Sequence, residues 1–310
     1  MSTELVYDRD TQTNEGDVST VYTVTMKDKV YPLEVDVCYR AFQNCDVIET
    51  WTVIRNLDKK PITLLKYASG YMPIRQGDVW VSHEHGAWGS EASIYEQALQ
   101  PGLFEVRDYT GMKTAYNARP NIMLSLDGKP QESTGRVMGA VLMWNGNYRL
   151  SIDTRDKHVH NLVAGISDEN SAYTLQKGGS LTTPTLAYSY SNNGVGGVSR
   201  NYHRWARKNN RVYNGERLRD ILLNSWEGVY LNVSQQGMEQ MVDGVRDLGG
   251  ELFVMDYGWF GGKYKRSVDD CALGDWVTDT EKLPNGVPAL EKAAAARGIK
   301  WGIWIEPEMT

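Results

Sequence analysis

Acidic and aromatic side chains follow three apolar segments in the last third of the sequence. Trp226 ends the first segment, Asp256 and Tyr257 follow the second, and Trp304 and Glu306 lie at the end of the third. A carboxylate accepts hydrogen bonds from sugar hydroxyls, and an indole can cover the C–H face of a sugar ring. The combination therefore favours a carbohydrate ligand. The alternative is that Asp256 and Glu306 only cap the segments that follow them.

Alternating strands and helices are predicted to position these residues. Apolar runs at 221–226, 252–255 and 299–305 predict buried strands, while the spacing of apolar residues over 238–248 and the alanine-rich segment 288–297 predict helices. Successive βα units indicate either a doubly wound sheet or a (β/α)8 barrel. Both architectures build their sites at the carboxyl ends of the strands. No GxGxxG or Walker-type sequence follows these runs, which disfavours a nucleotide site.

The first two-thirds of the chain has the pattern of a β-sheet protein. Between residues 20 and 191, short β-rich runs are separated by Gly, Asn, Asp and Pro. Apolar and polar residues alternate over 33–40, as in a half-buried strand, and residues 145–147 (NGN) indicate a hairpin turn. Many short strands without intervening helices favour a large β-sandwich. A basic, aromatic helix is expected at 201–210, after a glycine-rich loop at 194–197.

Composition limits the possible functions further. The 310 residues include 33 Lys and Arg against 39 Asp and Glu, a net charge of −6, which disfavours nucleic acid as a partner. The sequence has no run of about 18 apolar residues that could cross a membrane, and its first residues lack the features of a secretory signal. Cys38, Cys45 and Cys271 are too few and too scattered for a disulfide framework or a zinc site. We therefore expect free thiols and a cytoplasmic location, with no membrane partner.

Several motifs of the last third together resemble the α-galactosidases of glycoside hydrolase family 36. The motifs occur in the order and at nearly the spacing found in that family. They are NSWE at 224–227, LFVMDYGWFG at 252–261, LGDW at 273–276, KLPNG at 282–286 and GIWIEPEM at 302–309. A looser match extends to SRNYH at 199–203 and GAWGSE at 86–91, so the resemblance covers most of the chain.

The resemblance implies a multidomain fold and an activity. It predicts an N-terminal all-β supersandwich at 1–198, a helical linker at 199–218 and, at 219–310, the first βα units of a (β/α)8 barrel that is incomplete in this chain. It implies hydrolysis of terminal α-linked galactose from oligosaccharides with retention of configuration, without a cofactor. The protein could also form homo-oligomers, since family members often do.

The resemblance also assigns roles to site residues. Trp226 and Trp304 would form walls around the galactose ring, and Asp256 would bind its hydroxyls at positions 4 and 6. The family usually has a second aspartate where this chain has Tyr257, and a phenol lacks the two acceptor oxygens of a carboxylate. An α-N-acetylgalactosaminide or another modified α-galactoside is therefore an alternative substrate. Glu306 and Glu308 belong to the EPEM motif, where we expect a structural role.

The catalytic aspartates of the family lie on later strands, so the resemblance places both beyond Thr310. Retaining hydrolysis needs two carboxyl groups about 5–5.5 Å apart, and we expect this chain alone to be inactive. The adjacent pair Asp269–Asp270 lies in a polar loop and is interpreted as solvated surface charge. Two other functions stay open: galactosyl transfer within the same family, and a noncatalytic carbohydrate-binding module in which the sandwich, with Trp88, is the binding part.

Two histidine pairs have the alternating spacing of a strand but lack an evident third ligand. They are His83 with His85 and His158 with His160. We therefore expect neither pair to hold a metal.

Overall fold

The computed structural model describes residues 3–111, 117–156, 158–169, 171–209 and 211–306. The chain divides into two compact units, Met1–Glu216 and Arg217–Thr310. In the described part, no helix is both long and apolar enough to cross a bilayer.

The first unit is built mainly of antiparallel strands. In chain order they are β1 (Leu5–Glu15), β2 (Ser19–Asp28), β3 (Leu33–Phe42), β4 (Val47–Asn56), β5 (Ile62–Leu64), β6 (Gly70–Ile74), β7 (Trp80–His85), β8 (Ser93–Ala98), β9 (Gly102–Asp108), β10 (Ala118–Ser125), β11 (Val137–Leu142), β12 (Tyr148–Asp156), β13 (Val159–Ile166), β14 (Tyr173–Leu175), β15 (Ser180–Thr182) and β16 (Leu186–Ser191). The larger sheet has the order β1-β2-β3-β4-β16-β11-β10-β7-β8, with β15 paired to β4. A smaller sheet has the order β6-β13-β12-β9, and β14 pairs with β5.

A shared core joins the larger and smaller sheets into a sandwich. On β12, the side chains of Tyr148, Leu150 and Ile152 are almost completely buried, as expected when every second residue of a strand faces the core. They belong to the same apolar cluster as Leu124 on β10 and Leu186 on β16 of the larger sheet. Contact across the two inner faces therefore holds this unit together.

Helix α1 (Gly194–Lys208) follows β16 and starts earlier than the sequence predicts. The glycines expected to form a loop are its first turn. A Cβ atom at Gly194 would lie 2.3 Å from the Gln131 carbonyl oxygen and 2.6 Å from that of Glu132, and one at Gly197 would lie 2.2 Å from Oγ of Ser191. Glycine is used here because the helix begins in close contact with its neighbours, and this requirement is invisible in the local sequence.

A buried carboxylate connects α1 to the larger sheet. Glu49 on β4 is fully buried, and it accepts hydrogen bonds from Arg40 Nη1 at 2.7 Å, from Trp205 Nε1 at 3.1 Å and from Arg211 Nε at 2.8 Å. Two guanidinium groups thus compensate one buried negative charge. This arrangement satisfies the requirement that a buried charge be paired and hydrogen-bonded.

The second unit alternates strands and helices around a parallel sheet. Its elements are β17 (Leu222–Asn224), α2 (Trp226–Val229), α3 (Gln235–Asp247), β18 (Leu252–Met255), α4 (Val287–Ala296) and β19 (Lys300–Ile303). The strands pair in parallel in the order β17-β18-β19. Strand β17 is shorter than predicted because the single turn α2 begins at Trp226, whose amide donates to Oδ1 of Asn224 at 2.7 Å. Buried side chains of α3, α4 and β18 form one apolar cluster, which fixes both helices against the sheet.

Candidate functional site

The parallel strands of the second unit end at one edge, and the predicted site residues lie there. Backbone hydrogen bonds continue past the strand ends, from the Ser225 amide to the Val254 carbonyl at 3.0 Å and from the Trp304 amide to the Met255 carbonyl at 2.9 Å. These bonds fix the segments that carry Trp226, Asp256 and Trp304 relative to one another. The edge is therefore a preorganised support for side chains.

Asp256 is the buried carboxylate at this edge, with 8% of its surface exposed. Its Oδ2 accepts a hydrogen bond from Asn224 Nδ2 at 2.6 Å, and its Oδ1 accepts one from the Tyr257 amide at 2.7 Å. The Asp256 amide donates to Oγ of Ser225 at 2.9 Å. A carboxylate has about four lone-pair positions, and these two bonds occupy two of them. Sequence reasoning did not assign Asn224 a role, although it lies in the NSWE motif.

Three half-buried aromatic rings contact one another in a row beside Asp256, and this row is called the aromatic stack below. The ring centroids of Trp226 and Tyr257 are 4.3 Å apart with an interplanar angle of 23°, and those of Tyr257 and Trp304 are 5.0 Å apart at 38°. Tyr257 therefore lies between the two indoles that were predicted to flank a sugar. The Trp304 carbonyl accepts a hydrogen bond from Trp259 Nε1 at 3.0 Å, which fixes the end of the stack. The four predicted binding residues are thus close together, and their role in binding stays a prediction.

The Tyr257 hydroxyl is held by a loop residue. It donates a hydrogen bond to Oδ1 of Asp269 at 2.8 Å. Partial burial and this bond raise the pKa of Tyr257 to about 12, so the phenol keeps its proton at neutral pH. The interpretation of Asp269–Asp270 as free surface charge is therefore incomplete: both residues are exposed, but Asp269 has a specific partner in the site.

A buried arginine supports the same loop. Arg266 is only 2% exposed, and its guanidinium carbon lies 4.6 Å from the Tyr257 ring centroid and 5.2 Å from that of Phe260. Its Nη1 donates to the Cys271 carbonyl at 2.5 Å. Cation–π contact with two rings offsets part of the cost of burying this charge. Nothing in the sequence marks Arg266 except its place between two of the motifs listed above.

Lys282 connects the loop that contains Arg266 to the segment that follows β18. Its ammonium group donates to the carbonyl groups of Leu231, Gly258 and Arg266 at 2.9, 2.8 and 3.2 Å. Burial lowers the pKa of Lys282 because it disfavours the charged form. The contacts of Lys282 are all to the backbone, so its role here is to hold segments together.

Other candidates from the sequence are not among the contacts of this cluster described above. Glu306 is half-buried after β19, whereas Glu308 lies outside the described residues. The His160 ring nitrogens lie 2.9 Å from Thr154 Oγ1 and 2.8 Å from the Gln76 carbonyl, so both are engaged within the protein. Over the described ranges, no group of three or more His, Cys, Asp or Glu side chains is arranged to hold a metal ion.

Comparison with known protein families matches both units. The model described as the glycosyl hydrolase family 36 N-terminal domain matches residues 6–176, and the melibiase model matches residues 180–310. Alpha-galactosidase C of Emericella nidulans is 31% identical over 303 residues, which are 95% of this chain and 40% of that protein. Alpha-galactosidase AgaA of Geobacillus stearothermophilus is 31% identical over 290 residues, 92% of this chain and 39% of that protein. The chain thus spans about 40% of the length of these relatives.

Solved structures show the same similarity in three dimensions. The crystal structure of AgaA superposes with a TM-score of 0.90 at 28% identity, covering 99% of this chain and 44% of AgaA. An α-galactosidase from Lactobacillus brevis gives a TM-score of 0.90 at 25% identity, covering all of this chain and 43% of the other. The predicted fold class is confirmed: a β-sandwich is followed by the first βα units of a barrel-type catalytic domain.

Proposed function

This chain belongs to glycosyl hydrolase family 36, and we propose that the protein removes terminal α-linked galactose from oligosaccharides with retention of configuration. One observation carries the proposal: Asp256 and the aromatic stack of Trp226, Tyr257 and Trp304 lie together at the carboxyl edge of a parallel sheet. The relatives support the choice of substrate. They are named α-galactosidases, and variants of AgaA were solved in complex with stachyose and with raffinose.

Asp256 is proposed to orient the sugar. Its two remaining lone-pair positions can accept hydrogen bonds from sugar hydroxyls, while Asn224 and the Tyr257 amide hold the carboxylate in place. The axial hydroxyl at position 4 distinguishes galactose from glucose. An epimer that cannot reach Asp256 leaves a buried carboxylate short of a partner, which costs about 1–3 kcal/mol or more. Tyr257 covers the indole faces that are turned toward it. The remaining surface of Trp226 and Trp304 is proposed to be the apolar surface that a pyranose C–H face covers.

Turnover is proposed to need more of the barrel than these 310 residues contain. A (β/α)8 barrel has eight strands, whereas the second unit contributes β17, β18 and β19 over its described residues. Double displacement requires a nucleophile and an acid/base about 5–5.5 Å apart. We propose that this pair lies on strands outside the present sequence, so that the chain binds the sugar without cleaving it.

Calorimetric titration with galactose tests the binding site. The 310-residue chain is expected to bind galactose more tightly than glucose, and Asp256→Ala is expected to abolish that preference. Trp88→Ala is the control, because Trp88 is 82% exposed and lies in the first unit. Binding that persists in Asp256→Ala but disappears in Trp88→Ala would instead favour a noncatalytic module working through the sandwich. Release of nitrophenol from a nitrophenyl α-galactoside by the pure chain would contradict the placement of the catalytic pair.

A modified galactoside is the second candidate substrate, favoured by the contacts of Tyr257. A phenol replaces the second aspartate that the family usually has, and its hydroxyl is bonded to Asp269. Residue 257 therefore carries no negative charge, and the carboxylate in contact with it is that of Asp269 in the loop. Comparing galactose with N-acetylgalactosamine in the same titration decides between the two sugars.

Location and assembly are also proposed. Cys38, Cys45 and Cys271 are free thiols, which supports a reducing compartment such as the cytoplasm. Self-association is proposed from the family resemblance alone. Cell fractionation and sedimentation of the protein test these two points.

A further inference from the structure

The hydroxyl of Tyr257 donates its hydrogen bond in one defined direction in this structure. A phenol carries one proton to donate and two lone pairs that accept. The proton is directed at Oδ1 of Asp269, 2.8 Å away. An oxygen whose proton is committed in this way offers only lone pairs to any further partner.

The position of Asp269 is determined by the loop around it. Arg266 packs on the Tyr257 ring at 4.6 Å and donates to the Cys271 carbonyl, so its side chain closes the segment that contains Asp269. The Arg266 carbonyl in turn accepts a hydrogen bond from Lys282 Nζ at 3.2 Å. Arg266, at the start of this segment, is therefore held against the ring of Tyr257, whose hydroxyl contacts Asp269. The contact between Asp269 and Tyr257 is part of a built arrangement, although Asp269 itself is exposed.

We infer that Tyr257 and Asp269 act as a pair that accepts a hydrogen bond from a sugar hydroxyl, with Asp269 as the positioning residue. The inference rests on the proposed function and adds to it the residue that sets ligand selectivity. Asp269 accepts a hydrogen bond from the phenol O–H, and the Tyr257 oxygen accepts a hydrogen bond from a ligand hydroxyl beside Asp256. The acceptor character of a second carboxylate is thus retained although residue 257 is a tyrosine. The pair selects ligands whose hydroxyl can donate.

Fluorinated sugars test this polarity directly. A C–F group has nearly the size of C–OH and cannot donate a hydrogen bond. The probes are methyl α-galactoside and its 4-deoxy-4-fluoro and 6-deoxy-6-fluoro derivatives, titrated calorimetrically into the 310-residue chain. The unmodified chain is expected to bind one of the two derivatives roughly tenfold more weakly than the parent sugar, the loss of one hydrogen bond to an oriented acceptor.

Asp269→Ala is the decisive variant, and Asp270→Ala is its matched control. In Asp269→Ala the phenol proton is free to turn toward the ligand, so the tenfold preference is expected to fall to about twofold. Asp270→Ala removes the same charge from the next residue and is expected to keep the full preference. Tyr257→Phe is expected to remove the part of the preference that depends on the phenol oxygen and to leave the part that depends on Asp256. The double variant Tyr257→Phe/Asp269→Ala should be no worse than Tyr257→Phe alone.

The outcomes separate this inference from the function on which it rests. An unchanged fluorosugar preference in Asp269→Ala, with galactoside binding still dependent on Asp256, overturns the pair and leaves the proposed function intact. Equal weakening of all three probes in Asp269→Ala also overturns it, because that result indicates only a loosened loop. If the unmodified chain does not bind the galactoside, or binds it independently of Asp256, both the function and the pair are overturned.

Discussion

Replacing Glu49 with glutamine is expected to destabilise the first unit strongly. The carboxylate is fully buried, while Arg40 and Arg211 are 23% and 26% exposed in their side chains. Removing one partner of a buried ion pair costs about 3–5 kcal/mol, since the remaining charge is left without compensation. Here each guanidinium still reaches water, and Arg40 keeps its ion pair with Glu15, which reduces the cost. We therefore expect the free energy of unfolding to fall by about 3 kcal/mol.

Urea unfolding followed by circular dichroism measures this loss. With a urea dependence of roughly 1–3 kcal/mol per molar, a change of about 3 kcal/mol lowers the midpoint by about 1 M or more. Glu15→Gln is the matched control, because Glu15 accepts from Arg40 Nε at 2.8 Å but is 42% exposed. An exposed pair contributes about 1 kcal/mol or less. If Glu49→Gln and Glu15→Gln shift the midpoint equally, the buried carboxylate does not hold α1 to the sheet in the way described.

The remaining predictions concern the second unit. Asn224→Ala removes a hydrogen bond to the Asp256 carboxylate, and calorimetry is expected to show galactose binding about tenfold weaker or lost; unchanged affinity would show that Asp256 is oriented by other contacts. Burial and Asp269 raise the pKa of Tyr257 to about 12, above its value in an unfolded chain. The contribution of this group to stability is therefore fully present below about pH 10 and is lost between about pH 10 and 12. The loss of stability between about pH 10 and 12 should be smaller in Tyr257→Phe than in the unmodified chain. If the two proteins lose stability identically over this range, the raised pKa of Tyr257 is contradicted. Ile303 in β19 and Ile305 just after it are exposed, and β19 is an outer strand of its sheet within the described residues. Ile305→Lys is therefore expected to reduce self-association in sedimentation, and no change would mean that this edge is not the contact.

Much of the fold follows from local sequence patterns. The alternation over 33–40 predicts a half-buried strand, and β3 does extend from Leu33 to Phe42. Its burial does not alternate as predicted, because Glu34 and Asp36 are buried while Tyr39 is 41% exposed. The predicted helix over 238–248 appears as α3, Gln235–Asp247, which begins where Oγ of Ser234 accepts the Gly237 amide at 3.2 Å. Periodicity and caps are local signals, so the sequence contains them directly.

Contacts between distant residues explain what the sequence could not predict. The glycines at 194–197 disfavour a helix by propensity, but the start of α1 needs them because it passes close to Glu132 and Ser191. Local preference and tertiary packing conflict there, and packing prevails. The same reasoning applies to Glu49, which sits in an ordinary strand pattern and is stabilised by Arg211, 162 positions along the chain.

The candidate site also combines residues that the sequence predicts with residues placed by contacts it does not show. Parallel strands necessarily end at one edge, so a sequence that places Asp256 and Trp304 after two such strands already predicts that they are neighbours. Asp269 has no such signal, because a polar loop imposes no periodicity. Its place in the site depends on the buried Arg266 and on the phenol of Tyr257. The effect of having tyrosine at residue 257 therefore cannot be judged from that position alone. A carboxylate is absent there, but the carboxylate of Asp269, twelve residues later, contacts the Tyr257 hydroxyl. The conformation of the loop that carries Asp269 therefore determines whether selectivity for the sugar is lost or retained.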